Sequence, residues 1–98
     1  MIAESTIQAV LERADIVRVV QESGVKLEKR GVEWVACCPF HTEKTPSFHV
    51  NPARQTWHCF GACQEGGDVI SYLMKREGMT FVNAVRRLAE QYGVDLDE

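Results

Sequence analysis

The sequence predicts an α+β fold, in which a small antiparallel β-sheet is flanked by N-terminal and C-terminal helices. Two observations predict it. Apolar residues recur every three or four positions near both ends of the 98-residue chain, whereas in the middle they alternate with polar residues. The strands follow one another without intervening helices, which favours antiparallel pairing over βαβ units. We expect residues 1–98 to form a single domain.

The first 24 residues predict two helices. Ser5 and Gln8 have the spacing of a capping box, and the apolar residues after them keep helical spacing. Asp15 is a suitable N-cap for a second, shorter helix that ends near Gly24. The apolar positions of both helices are interpreted as core.

The middle of the chain predicts short strands. The period changes to two at Val25, and a turn is expected at residues 29–31. Trp34 then lies on one face of the following strand. A third strand is expected from Phe48 to the turn at residues 51–52, and a fourth over residues 55–59.

The last third predicts two more helices. The glycine pair at 66–67 is expected to break the chain, and Asp68 to cap a helix that ends at Gly78. Thr80 is expected to cap the last helix, which ends at Gly93.

Composition places the chain among small globular proteins. Apolar residues make up 45% and charged residues 26%. No apolar run approaches the roughly 18 residues of a membrane span, and the first residues lack the features of a secretory signal. We therefore expect a cytoplasmic protein with no membrane partner. The chain is too short for a large enzyme. A core of this size needs additional stabilisation, such as a bound metal ion or a disulfide.

The net charge of −3 is unevenly distributed along the chain. Residues 24–58 hold five basic and three acidic groups, which gives this stretch a net charge of +2. The same stretch contains both tryptophans and all three histidines. Positive charge interleaved with aromatic residues is a modest indication of nucleic-acid binding.

Four cysteines in a reducing compartment indicate a metal-binding site rather than disulfide bonds. Cys38 and His41 form a C-x2-H pair, and Cys59 and Cys63 form a C-x3-C pair, with seventeen residues between the two pairs. Two such pairs joined by a hairpin are typical of a zinc ribbon, and a full set of four ligands indicates one structural Zn²⁺. His58 is the alternative ligand. Cys37 is expected to be a small buried hydrophobe, because strand alternation turns it away from Cys38.

One enzymatic alternative uses the same residues. The segment 41–43 reads H-x-E, which zinc deaminases combine with P-C-x-x-C. Here no proline precedes Cys59, and a fourth protein ligand would occupy the position of the catalytic water. The deaminase interpretation is therefore disfavoured.

Two longer motifs make a family recognisable. The first is CPFHTEKTPSF at residues 38–48, and the second is WHCFG at residues 57–61, which is followed by GGD at residues 66–68. With these motifs the chain resembles the N-terminal zinc-binding domain of bacterial DNA primase, a CHC2-type zinc ribbon. The resemblance covers nearly the whole chain. There are three departures: Ala62 lengthens the second knuckle, Gln64 stands in place of a glycine, and Val32 replaces a basic residue.

The resemblance implies a function. It implies recognition of single-stranded template DNA and help in starting RNA primers, in a chain that is the N-terminal part of a longer primase. Nucleotidyl transfer would belong to a separate catalytic domain, a partner in cis or in trans, and a replicative helicase complex is a further partner. Chromosomal, plasmid and phage primases and a separate zinc ribbon protein are all compatible with these residues.

The candidate DNA-binding residues fall into two groups. Those proposed to contact phosphate are Lys29, Arg30, Lys44 and Arg54, and those proposed to stack on bases are Trp34, Phe48 and Trp57. The alternative function is a zinc ribbon that docks other replication proteins without touching DNA.

Overall fold

Among the described residues, a five-stranded antiparallel sheet has two helices before it and two after it. The computed structural model describes residues 2–41 and 44–96. The elements in chain order are α1 (Glu4–Arg13), α2 (Ile16–Glu22), β1 (Glu28–Arg30), β2 (Glu33–Ala36), β3 (Phe48–Asn51), β4 (Thr56–Cys59), β5 (Gly66–Gly67), α3 (Val69–Glu77) and α4 (Phe81–Tyr92). The predicted α+β class is confirmed.

The sheet is a meander in which each strand pairs with the next one along the chain. The order is β1-β2-β3-β4-β5, and every pair is antiparallel. Val35 lies opposite His49, and His49 lies opposite His58. Because successive side chains of a strand point to opposite faces, this register separates a helix-facing side of the sheet from an open side.

The core lies on the helix-facing side of the sheet. Val50 of β3 and Val85 of α4 are fully buried, and so is Tyr72 of α3. Helix α1 packs against α4, α4 packs against α3, and both α2 and α3 contact the sheet. On β3 and β4, His49 and His58 face the opposite way and are partly exposed.

Three of the helices begin at the predicted caps. The Asp15 carboxylate accepts hydrogen bonds from the backbone N–H groups of Val17 and Arg18. The Asp68 carboxylate accepts one from Ser71 N–H, and the Thr80 hydroxyl accepts one from Asn83 N–H. The helices α3 and α4 end, as predicted, at the left-handed glycines 78 and 93.

The predicted capping box of α1 is wrong. The helix begins at Glu4, its N-cap is Ala3, and no side chain caps it. Ser5 is therefore inside the first turn. This earlier start buries Ile2 and Thr6, so core packing outweighs the local capping preference.

The expected chain break at residues 66–67 is also wrong. The two glycines form β5, in which Gly67 pairs with Trp57 and Gly66 pairs with His58. A Cβ on Gly66 would lie 2.8 Å from the carbonyl oxygen of Trp57, and one on Gly67 would overlap the Ser71 hydroxyl. Glycine allows this edge strand to pass close to β4 and to α3. A smaller difference is that β1 begins at Glu28 and not at Val25.

Candidate metal centre and the sheet surface beside it

The four predicted ligands converge at one end of the sheet. Cys38 and His41 follow β2, Cys59 is the last residue of β4, and Cys63 lies in the loop before β5. Their ligand atoms all lie within 4.8 Å of one another. The Cys38 and Cys63 sulfurs are 3.7 Å apart, and the Cys59 sulfur is 3.8 Å from His41 Nε2.

These distances fit a tetrahedral zinc ion. Zinc–sulfur bonds of about 2.3 Å place neighbouring ligand atoms of a tetrahedron about 3.8 Å apart. A disulfide needs about 2.05 Å between sulfurs, and all four cysteines are free. Three thiols and one imidazole are a donor set that favours Zn²⁺ over Mg²⁺ or Ca²⁺. The predicted zinc is therefore supported by geometry as well as by spacing.

Backbone amides donate hydrogen bonds to the cysteine sulfurs of both knuckles. The N–H groups of Phe40, Gly61 and Glu65 each donate a hydrogen bond to the cysteine sulfur two residues earlier in the chain. Such bonds orient thiolates and partly compensate their charge. The longer second knuckle keeps this pattern despite the inserted Ala62.

Gln64 closes the longer knuckle. Its backbone is left-handed, with φ of 48°, and its side-chain amide donates to the carbonyl oxygens of Phe60 at 2.9 Å and Gly61 at 2.8 Å. A left-handed backbone disfavours most side chains other than glycine. The two hydrogen bonds offset that strain.

The three thiols have different acidities. Burial raises the pKa of Cys38 to about 12, and burial together with a hydrogen bond to Cys59 raises the pKa of Cys63. Burial also opposes ionisation of Cys59, but hydrogen bonds from Cys63 and His41 outweigh it and lower its pKa to about 6. A metal-free site therefore concentrates its negative charge on Cys59, and zinc must displace protons from the other two thiols.

The structure excludes one alternative ligand and corrects one prediction about a neighbouring residue. His58, the alternative ligand, is outside the ligand cluster. Its ring packs against the Phe60 ring with centroids 4.2 Å apart and an interplanar angle of 43°. Cys37 is exposed and not buried, because β2 ends at Ala36 and the next side chain turns away from the core. Glu43, which the deaminase alternative needs, lies outside the described residues.

Two of the proposed stacking residues are part of the core. Phe48 is fully buried and Trp57 is 3% exposed. They pack with Phe40 and Tyr72 in an aromatic cluster whose ring centroids are 5.2–6.3 Å apart, and Trp57 Nε1 donates to the Asp68 carbonyl at 3.0 Å. The prediction that Phe48 and Trp57 present their faces to bases is therefore wrong, because strand alternation turns them towards the helices. Phe40 packs beside the knuckle, as predicted.

The open face of the sheet carries an aromatic group that the sequence analysis missed. Phe60 is 60% exposed, and its ring lies 4.2 Å from the His58 ring and 5.1 Å from the His49 ring. Glu33 is 3.1 Å from His49 Nδ1. We call Phe60, His49 and His58 the aromatic surface. The signal was present in the alternation of β3 and β4, which turns both histidines away from Phe48 and Trp57.

The remaining candidate residues are divided between the two faces. Arg54 borders a shallow cavity of about 230 Å³ next to the aromatic surface. Arg30 pairs with Glu33 in the sheet, so it shares the open face. Lys29 pairs with Trp34, and both side chains belong to the helix-facing side. Lys44 is exposed in the loop after the first knuckle.

In the part of the chain that the structure describes, no helix is long and apolar enough to cross a membrane.

Two cysteine-bearing knuckles on a small antiparallel sheet, closed by four ligands, define a zinc ribbon. Residues 2–98 match the CHC2 zinc finger family. The chain therefore belongs to this family, as the zinc-binding domain of a DNA primase. The family and the donor set together assign it one structural zinc ion.

Relatives and a solved structure agree with this assignment. The chain is 50% identical over 97 residues to a DNA primase of Myxococcus xanthus and 50% identical over 95 residues to one of Geobacillus stearothermophilus. These alignments cover 99% and 97% of this chain and 16% of each relative, so the chain spans about a sixth of their length. The crystal structure of the zinc-binding and RNA polymerase domains of the Aquifex aeolicus primase matches with a TM-score of 0.86 and 40% identity, over 94% of this chain and 22% of that one.

Proposed function

We propose that this chain is the template-reading unit of a longer DNA primase. It binds single-stranded template DNA and assists the start of RNA primer synthesis, while nucleotidyl transfer belongs to a separate catalytic domain, which is its partner in cis or in trans. The observation that carries the proposal is the aromatic surface on the open face of the sheet, with two arginines on the same side.

The aromatic surface suits an unpaired base. A base that stacks on an exposed aromatic ring gains about 1–3 kcal/mol, and this gain does not require a paired strand. The backbone of Phe60 is held on both sides, because its N–H donates to the Ser47 carbonyl at 2.8 Å and the preceding residue is the zinc ligand Cys59. The zinc site therefore presents the ring in a fixed position.

Electrostatics make the binding weak and dependent on salt. Arg30 and Arg54 are positioned to contact phosphates, and Lys44 is exposed in the loop between β2 and β3. The whole chain nevertheless has a net charge of −3, so long-range attraction to DNA is small. Tethering to a catalytic domain raises the effective concentration of the template and compensates for low intrinsic affinity.

Fluorescence anisotropy with labelled single-stranded oligonucleotides tests the proposal. F60A should weaken binding by roughly 5- to 150-fold, which corresponds to the loss of one stacked base. F81A is the matched control, because Phe81 is 42% exposed but lies on α4. Equal affinity for F60A and F81A would exclude the aromatic surface as the binding site.

A salt series tests the charged residues. The double variant R30A/K44A should reduce the slope of log affinity against log salt by about 1.4, since each phosphate contact to a single strand contributes about 0.7. An unchanged slope would remove these two residues from the interface.

A protein-docking zinc ribbon is the second candidate function. It is favoured by Val32, which is 79% exposed at the turn between β1 and β2, where the family often has a basic residue. The replicative helicase complex is the protein partner suggested by the family resemblance. Under this alternative the oligonucleotide titration gives no salt-dependent signal.

A further inference from the structure

Lys75 contacts both halves of the zinc site without being a ligand. It lies in the last turn of α3. Its Nζ is 2.6 Å from Glu65 Oε2 and 5.2 Å from the centroid of the Phe40 ring. Phe40 lies in the first knuckle, between Cys38 and His41, and Glu65 directly follows the second knuckle.

Each of these partners is bonded to a zinc ligand through its backbone. Phe40 N–H donates to the Cys38 sulfur, and Glu65 N–H donates to the Cys63 sulfur. The Glu65 carbonyl also accepts a hydrogen bond from Cys59 N–H at 2.8 Å. One lysine side chain is therefore linked to all three cysteine ligands through two intermediate residues.

The charge of Lys75 also suits this place. A zinc ion with three thiolates and one neutral imidazole has a net charge of 2 − 3 = −1, because the four ligands are Cys38, Cys59, Cys63 and His41. Lys75 interacts electrostatically with Cys38 and Cys63. A positive charge there offsets the excess negative charge of the loaded site.

We propose that Lys75 is a positioning residue of the zinc centre, which ties the two knuckles to α3 and slows the loss of zinc. The proposal rests on the zinc site and is independent of DNA binding. An exposed ion pair contributes little to the stability of a fold. The expected effect is therefore on the lifetime of bound zinc. Loss of a residue that bonds to a metal ligand lowers metal affinity by about 10- to 100-fold, and Lys75 reaches the ligands through Phe40 and Glu65, so the lower end of that range applies.

The rate of zinc transfer to a chromogenic chelator tests this role in the zinc-loaded 98-residue chain. K75M keeps the length and helix propensity of the side chain and removes its charge. We expect it to lose zinc about tenfold faster than the unsubstituted chain, the lower end of the range for residues that bond to a metal ligand. K75R should restore most of the slow rate, whereas K26M, which removes an exposed lysine elsewhere, should have no effect.

A second variant separates the contact of Lys75 with the two knuckles from any effect on the stability of α3. E65Q removes the ion pair but keeps Lys75 over Phe40, so zinc loss should be intermediate between the unsubstituted chain and K75M. Circular dichroism of each loaded variant checks that its fold is retained. If K75M does not fold, E65Q decides alone, and a zinc-loss rate for E65Q equal to that of the unsubstituted chain overturns the proposal. If K75M folds, an unchanged rate for K75M, or no rescue by K75R, overturns it.

Discussion

Two phenylalanines close in the sequence have opposite environments because the strand pleat and the knuckle turn them in different directions. Phe48 is fully buried in the aromatic cluster, and Phe60 is mostly exposed on the open face. The sequence alone predicts base stacking for Phe48 and gives no such role to Phe60. An aromatic residue near a zinc knuckle is compatible with either role, and only its orientation decides between them.

This difference predicts opposite effects of truncation. F48A should lower the free energy of unfolding by about 3–5 kcal/mol, because it leaves a cavity among packed rings. F60A, which removes an exposed ring, should change it by less than about 0.5 kcal/mol. Urea unfolding in excess zinc measures both variants. Similar losses for the two would mean that Phe60 is also a packing residue.

At the scale of elements, helix starts follow local capping where the core allows it. The helices α2, α3 and α4 begin at side-chain caps that the sequence predicts: Asp15, Asp68 and Thr80. Helix α1 begins at Glu4 without a side-chain cap, because its position is set by the burial of Ile2 and Thr6. Capping contributes about 1 kcal/mol, and the burial of several apolar groups can exceed that amount.

Two substitutions test this account of the helix starts. D68A should destabilise the chain by about 1 kcal/mol, because it removes the acceptor for the Ser71 N–H at 2.9 Å. S5A should be close to neutral, since Ser5 is exposed within the first turn and caps nothing in the structure. Thermal unfolding of the zinc-loaded chain measures both. A loss for S5A as large as that for D68A would show that Ser5 caps α1 in solution.

At the scale of the whole molecule, zinc joins segments that are distant in sequence. The first knuckle follows β2 and the second follows β4, so one ion closes the loop that contains β3 and β4. Zinc binding contributes on the order of 10 kcal/mol in small domains, which is larger than the net stability of a core of this size. The fold and the site are therefore coupled.

This coupling predicts that zinc affinity depends on pH. In the metal-free site the pKa values of Cys38 and Cys63 are raised, so both thiols hold protons at neutral pH, and zinc must displace them. Raising the pH weakens this competition, so affinity should rise between pH 6.5 and 8.5 by about 100-fold per unit, because two protons leave. Cys59, with a pKa lowered to about 6, adds a further proton only towards acid pH. Competition with a chelator of known affinity at several pH values measures the slope, and a flat profile would contradict the assignment of thiolate ligands.

The sequence by itself determined the two ligand pairs of the zinc site, three of the four helix starts and the α+β class, because each can be recognised from residues a few positions apart. Tertiary structure decided which face each aromatic residue occupies, the pairing of the glycine strand with β4, and the contact of Lys75 with both knuckles. Those features depend on strand register and on packing between segments that are distant in the chain, and a shift of one residue in register would exchange the two faces of a strand. Ligand spacing is local and can be read directly from the sequence, whereas the surface offered to a template strand exists only after the sheet has formed.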